Sequence, residues 1–233
     1  MKNLNVIVVG AGIGGLATAL AFATDGHRVK VLDGVIEFAE VGAGIRVPPN
    51  SSRLCKSWGV DFDSVPKQIA KGIRFVDWKN NGLLDVPYDD MISKHGAPYY
   101  FFHRADFVDI MLKAAKKDPN IKIITRSKVI EYDLQRPAVR TESGDWYAAD
   151  LVMSAEDIKS SIRDEVNGEP IEPVDTGDVA YRILVPTASL LKDPETPAWP
   201  RIRSKTSDAW RYYRYTRRRG QLLLRLTIII QGS

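Results

Sequence analysis

Apolar residues in this chain come in short blocks, and two periods alternate along it. Residues 4–9 form a nearly unbroken β-branched run, which predicts a buried parallel strand. Over residues 14–25, Leu16, Ala19, Leu20 and Ala23 recur at helical spacing, and Gly26 follows where a helix often ends. A second apolar run, 29–33, closes on Asp33. Residues 34–49 read as irregular because Gly42, Gly44, Pro48 and Pro49 interrupt them, and Asn50 is placed to cap a helix over 51–58 that Gly59 stops. Residues 72–78 and 83–88 bracket Lys79–Gly82 as a hairpin, and Tyr99–His103 is a short aromatic strand. Phe107, Ile110, Met111 and Ala114 share one face of a helix predicted over 105–117. Strands are expected at 121–125, 128–133, 137–142 and 146–153, then a helix over Ile158–Val166.

Beyond about residue 170 the pattern changes, with prolines at 170, 173, 186, 194, 197 and 200 between strand-like pieces. Val179–Val185 and Trp210–Thr216 read as strands of another sheet, and Gln221–Gln231 as an apolar strand with no obvious partner, an aggregation hazard. The expected organisation is a nucleotide-binding domain in two pieces, 1–71 and 103–169. A second sheet is built from 72–102 and 170–233.

The chain has 233 residues, enough for a sizeable core; 44% are hydrophobic and 27% charged, which places it with soluble globular proteins. The net charge of +4 is small, and much of the excess sits in Arg211, Arg214, Arg217, Arg218 and Arg219; without a recognition motif it does not point to nucleic acid. A lone cysteine, Cys55, excludes an internal disulfide and a cysteine-based metal cluster; it reads as a small core residue in a protein of a reducing, cytoplasmic compartment. His27, His95 and His103 are too scattered to give metal-ligand spacing, so no metal site is expected. No run of 18 apolar residues predicts a transmembrane helix, and glycines interrupt the one N-terminal stretch that resembles a leader.

The chemistry concentrates in the first 33 residues. Strand, glycine-rich turn, helix and strand, with an acid at the end of the second strand, are what a βαβ unit needs to hold a dinucleotide diphosphate. In Gly10-Ala-Gly12-Ile-Gly14-Gly15, Gly10 permits the tight turn, Gly12 lets the backbone approach the phosphates and Gly15 lets helix and strand pack closely. The phosphates would rest on the free N–H groups of the helix start, where the helix dipole favours negative charge. Asp33 is placed to accept hydrogen bonds from a ribose diol.

Five segments together resemble the FAD-dependent aromatic hydroxylases of the salicylate and p-hydroxybenzoate hydroxylase type, nearest their fungal branch, over most of the chain up to about residue 216. They are Gly10–Gly15 with Asp33, Glu40–Asn50, His103-Arg104-Ala-Asp106, Ala149–Ser160 and Ala180-Tyr-Arg182. The resemblance implies an α/β fold, with a Rossmann-like FAD-binding domain and a second, incomplete β-sheet substrate domain. It implies FAD as cofactor, NAD(P)H as co-substrate, and O2 with a small aromatic or polyketide-derived phenol as substrates, in fungal secondary metabolism. It implies that Gly44 and Arg46 lie on the loop passing the flavin and its ribityl chain, and that Arg104 contacts FAD. It also implies Arg182 and Tyr215 as the catalytic pair, a guanidinium and a phenol hydroxyl holding a substrate phenolate.

The chain departs from that pattern in three places. Asp33 stands where a glutamate is usual. The motif normally ending Gly-Ala-Asp-Gly reads Ser154-Ala155-Glu156-Asp157, which brings an extra carboxylate towards the diphosphate. The sequence also ends well before the family's second half, so it is expected to be C-terminally truncated. Two other readings follow: an inactive, truncated paralogue that keeps only nucleotide binding, and an NAD-dependent dehydrogenase, whose first unit would look the same. The sequence leaves the oligomeric state open.

Overall fold

The computed structural model describes residues 2–36, 38, 44–76 and 81–174, together with strands at 181–186 and 226–231. In chain order the elements are β1 (Asn5–Val9), α1 (Ile13–Thr24), β2 (Arg28–Leu32), β3 (Gly44–Val47), α2 (Pro49–Ser57), β4 (Lys67–Ile69), β5 (Gly72–Val76), β6 (Gly82–Pro87), α3 (Met91–His95), β7 (Tyr100–His103), α4 (Arg104–Lys117), β8 (Ile121–Ile124), β9 (Val129–Asp133), β10 (Ala138–Thr141), β11 (Trp146–Ala148), β12 (Leu151–Ser154), α5 (Arg163–Asn167), β13 (Tyr181–Pro186) and β14 (Leu226–Gln231). They fall into two compact units: Met1–Glu40 with Cys55–Asp61 and Val108–Val174, and Val41–Leu54 with Phe62–Phe107 and Asp175–Ser233. These units divide the chain at other places than 72 and 103, because β3 and β4 both pair with β7.

The first unit is built on a four-stranded sheet in the order β12-β1-β2-β8, parallel throughout. Side chains alternate between its faces. Val6, Val8, Val29 and Val31 are buried on the side where α1 supplies Leu16, Ala19, Leu20 and Ala23. Ile7, Val9 and Leu32 face the other way and form a second cluster with Val129, Tyr132 and Val139 of the antiparallel meander β9-β10-β11. A central parallel sheet covered by helix on one face and by a small antiparallel sheet on the other is the Rossmann-like arrangement expected from the opening βαβ unit.

The second unit holds the antiparallel sheet β3-β7-β4 and the hairpin β5-β6. Phe62 is 2% exposed and packs edge-on against Tyr100, Phe102 and Phe107, which accounts for the aromatic run before α4. Fully buried Ser52 is satisfied by donating to the Pro98 carbonyl at 3.0 Å. Every residue of β6 is exposed.

Several expectations are corrected. The stretch read as irregular contains β3, and β4 and α3 were not foreseen. Asn50 lies inside α2 and does not cap it; the first turn is closed by the Pro48 carbonyl, which accepts from the N–H groups of Ser51 and Ser52. The single strand expected at 146–153 is two, β11 and β12. The chain leaves the meander at Ala149, whose N–H donates to the Pro137 carbonyl, and joins the parallel sheet through Asp150, which accepts from Asn5. The helix expected over Ile158–Val166 is a single 3₁₀ turn, Asp157–Lys159, followed by short α5, with Ser160 at ψ 122 interrupting the helical geometry between them. The last apolar strand does have a partner: β14 pairs parallel with β13, Tyr181 opposite Leu226. Trp210–Thr216 lies outside the described residues.

Candidate functional site

The site grows from the turn between β1 and α1. Gly10 leaves the strand at φ +98, in the left-handed region, and a Cβ there would stand 2.7 Å from the Ala155 carbonyl oxygen. Gly15 has no such φ, but its Cβ would come within 1.8 Å of the Gly10 oxygen. Both glycines are therefore fixed by close backbone approach. Gly12 and Gly14 differ: a Cβ on either would meet nothing within 4 Å, so open space lies over the start of α1.

That space is suited to an anion. Gly12 is the N-cap residue of α1 and caps it with no side-chain hydrogen bond. The first turn carries no acidic residue. The first N–H groups of an α-helix have no partner within it and sit at the positive end of its dipole. A dinucleotide diphosphate fits an uncapped glycine-rich helix start of this form.

Asp33, just past β2, reaches back to the same turn. Its Oδ2 accepts from the Ala11 N–H at 2.6 Å and its Oδ1 from the Val35 N–H at 2.9 Å. The carboxylate thus ties the glycine turn to the end of β2. Each oxygen keeps a further lone pair able to accept from a sugar hydroxyl.

The turn after β12 closes the site from the other side. The Ala155 N–H donates to the Val9 carbonyl, which brings Ser154–Asp157 against the Gly10 turn. Asp157 stands at φ +62, a conformation glycine adopts freely and L-residues rarely do. The sequence departure from glycine therefore falls on a position whose backbone still has the glycine-like conformation. Neighbouring Glu156 is drawn into a hydroxyl network. Its Oε2 accepts from Tyr132 Oη at 2.6 Å, from Ser154 Oγ at 3.1 Å and from Ser161 Oγ at 3.2 Å. Burial, reinforced by the Glu156 carboxylate, pushes the Tyr132 hydroxyl far above its ordinary range, so it stays protonated and donates. This network was not foreseen: Tyr132 lies on β9, and no spacing in the sequence links it to Glu156.

The remaining expected residues lie in the second unit or outside the described part. Gly44 opens β3 and pairs with His103 of β7, which places the second and third motifs side by side, since Arg104 begins α4 directly after His103. Arg46 is exposed, two residues along β3 from Gly44. His103 Nδ1, at the end of β7, lies 3.8 Å from Oδ1 of Asp106 in the first turn of α4. Arg182 belongs to β13, paired with Thr227, and Tyr215 lies outside the described residues.

Cys55 is buried, and desolvation pushes its thiol up to about 11, so it is not a thiolate nucleophile near neutrality. Among the described residues no three His, Cys, Asp or Glu side chains are grouped to hold a metal ion, and no helix is long and apolar enough to cross a membrane.

No protein-family model matches the chain. It is 32% identical over 194 residues to the FAD-dependent monooxygenase atnJ of an Arthrinium species, covering 82% of this chain and 45% of that protein. It is 32% identical over 201 residues to a 3-hydroxybenzoate 6-hydroxylase of Klebsiella oxytoca, covering 82% of this chain and 49% of that one. Among solved structures it is similar to the crystal structure of FqzB, with a TM-score of 0.61 and 27% identity, over 71% of this chain and 39% of that one. The chain spans about half the length of the curated relatives it matches.

Proposed function

Because this chain is a homologue of the FAD-dependent aromatic hydroxylases that spans about half their length, we propose that it binds FAD through the β1–α1 turn and serves NAD(P)H- and O2-dependent hydroxylation of a phenolic substrate. The observation that carries this reading is the open, uncapped glycine cradle at Gly12 and Gly14, tied to β2 by Asp33. Bound FAD would supply the redox and oxygen chemistry; the chain supplies placement and charge.

The backbone N–H groups at Gly12–Gly15 would hold the diphosphate, and Asp33 the adenosine ribose. Gly44 and Arg46 would pass the flavin side, and the Arg104 guanidinium would pair with phosphate oxygens. Arg182 and Tyr215 would hold the substrate phenol: a guanidinium beside a phenol favours the phenolate, the more nucleophilic form, and a tyrosine hydroxyl can donate to its oxygen. An aromatic substrate is supported by relatives named 3-hydroxybenzoate 6-hydroxylase and hispidin-3-hydroxylase. The lone cysteine supports a reducing, cytoplasmic setting.

The test is the purified chain equilibrated with FAD. Saturable quenching of flavin fluorescence, abolished by Gly12→Val, is the expected result. Absence of bound flavin in a folded sample overturns the proposal. With flavin bound, phenol-dependent NAD(P)H oxidation should disappear in Arg182→Met and Tyr215→Phe while flavin stays bound. A second reading, nucleotide binding without turnover, is favoured by the acidic turn Glu156-Asp157 beside the cradle; flavin binding with no phenol-dependent oxidation selects it.

A further inference from the structure

The opposite end of the parallel sheet carries a second feature that the dinucleotide reading does not use. On one face of the sheet Ile7, Val9 and Leu32 pack against Val129, Tyr132 and Val139 of the meander. At the N-terminal ends the same face turns polar. Asn5 pairs with Arg28, Ile7 with Lys30, and Lys30 with Lys122. Paired residues of a parallel ladder share a face, and so do residues two apart on one strand. Arg28, Lys30 and Lys122 therefore project from one face of two adjacent strands, and all three are exposed.

Between this face and the end of β11 lies a recess of about 680 Å³, within the span of small-molecule sites. The three cations line it, with Asn5 and Asn120 as further polar groups and Ile7, Pro119, Ala148 and Ala149 as apolar lining. Asp150 is its one carboxylate, and that group is committed to the main-chain and side-chain N–H groups of Asn5, at 2.7 and 3.2 Å. Among the described residues none of the three cations has an ion-pair partner. Like charges directly opposite on neighbouring strands, here Lys30 and Lys122, destabilise a sheet. A bound anion would relieve that repulsion, and its body would have apolar wall to rest on.

From this we infer that the recess at the N-terminal ends of β2 and β8 is a binding site for a phosphate-bearing molecule, held by Arg28, Lys30 and Lys122. The site lies at the end of the sheet remote from the Gly10 turn, so it stands whether or not the chain binds FAD.

The test is inorganic phosphate, and separately pyrophosphate, titrated into 15N-labelled full-length protein, with sodium chloride of equal ionic strength as control. The expected result is saturable amide shifts at 28–30 and 120–122, with affinity reduced about tenfold or more in Lys30→Gln/Lys122→Gln. A dispersed spectrum of the variant verifies its fold; should it fail to fold, Arg28→Gln alone is read the same way. Shifts confined to residues 12–15, or equal shifts with chloride, overturn the inference. A parallel sedimentation with phosphatidylcholine vesicles, with and without phosphatidic acid, separates a lipid headgroup from a soluble source. Co-sedimentation that needs phosphatidic acid and Lys30 and Lys122 supports the headgroup, and phosphate binding without co-sedimentation supports a soluble ligand. Loss of both overturns the site.

Discussion

Two turns close the top of the parallel sheet, and they meet the same backbone demand with different residues. After β1 the left-handed position is Gly10; after β12 it is Asp157. At Gly10 the chain could not have chosen otherwise, since a side chain would collide with the Ala155 carbonyl. At Asp157 the side chain is exposed, so the position admits one and only the backbone conformation is costly. A positive φ alone thus tolerates replacement of glycine, whereas a positive φ combined with close approach does not. The two turns are also braced differently: Asp33 reaches the first from the end of β2, whereas in the second Glu156 of the turn itself is anchored by Tyr132 and two serines.

Substitutions can break that contrast or sharpen it. The largest effect is expected at Gly15→Ala, whose Cβ would meet the Gly10 oxygen at 1.8 Å: a loss above about 4 kcal/mol, read as absence of a cooperative thermal transition. Gly12→Ala, which meets nothing, should stay within about 1 kcal/mol of the parent while weakening flavin binding. Next comes Glu156→Ala. It leaves the Tyr132 hydroxyl, on a residue 8% exposed, without its acceptor, and should cost about 1–3 kcal/mol in urea unfolding. Adding Tyr132→Phe should recover part of that loss. Asp157→Gly should act the other way, raising stability by about 1 kcal/mol, because glycine adopts the left-handed backbone without strain. No gain there would mean that the Asp157 side chain supplies a compensating contact.

The smallest effect concerns the clasp between β1 and β12. Accepting the Asn5 main-chain N–H, then the Asn5 side chain with Lys2 nearby, holds the Asp150 carboxyl below its usual range. A carboxylate with a lowered folded-state pKa stabilises the fold above its unfolded pKa, and that contribution is lost as pH falls through the folded value. Urea midpoints should therefore drop more steeply on acidification below about pH 4 in the parent than in Asp150→Asn.

The opening βαβ unit was legible because each signal there is local: an unbroken β-branched run, helical spacing of small residues, and glycines at the turn. The helix over 105–117 was legible for the same reason. What the sequence concealed depends on distant partners. The break between β11 and β12 is set by Pro137 and Asn5, and the irregular run from Asp157 to Ser161 adjoins a carboxylate held by Tyr132 from β9. β3 was obscured because Gly44 and Pro48 read as breakers, although pairing with β7 makes the residues between them a strand. At the candidate site, the tight turn at Gly10 and the close approach at Gly15 could be read from the glycine spacing. The part Asp33 plays in bracing the turn could not, since it rests on which backbone N–H groups its two oxygens reach.

Cys55 gives the molecule a built-in reporter. It is the sole sulfhydryl, buried and held protonated by its surroundings, so alkylating reagents have little to react with while the native state persists. The rate at which iodoacetamide labels the protein is then a clock for structural opening, and a ligand that tightens the fold will slow that clock without any need for a spectroscopic tag.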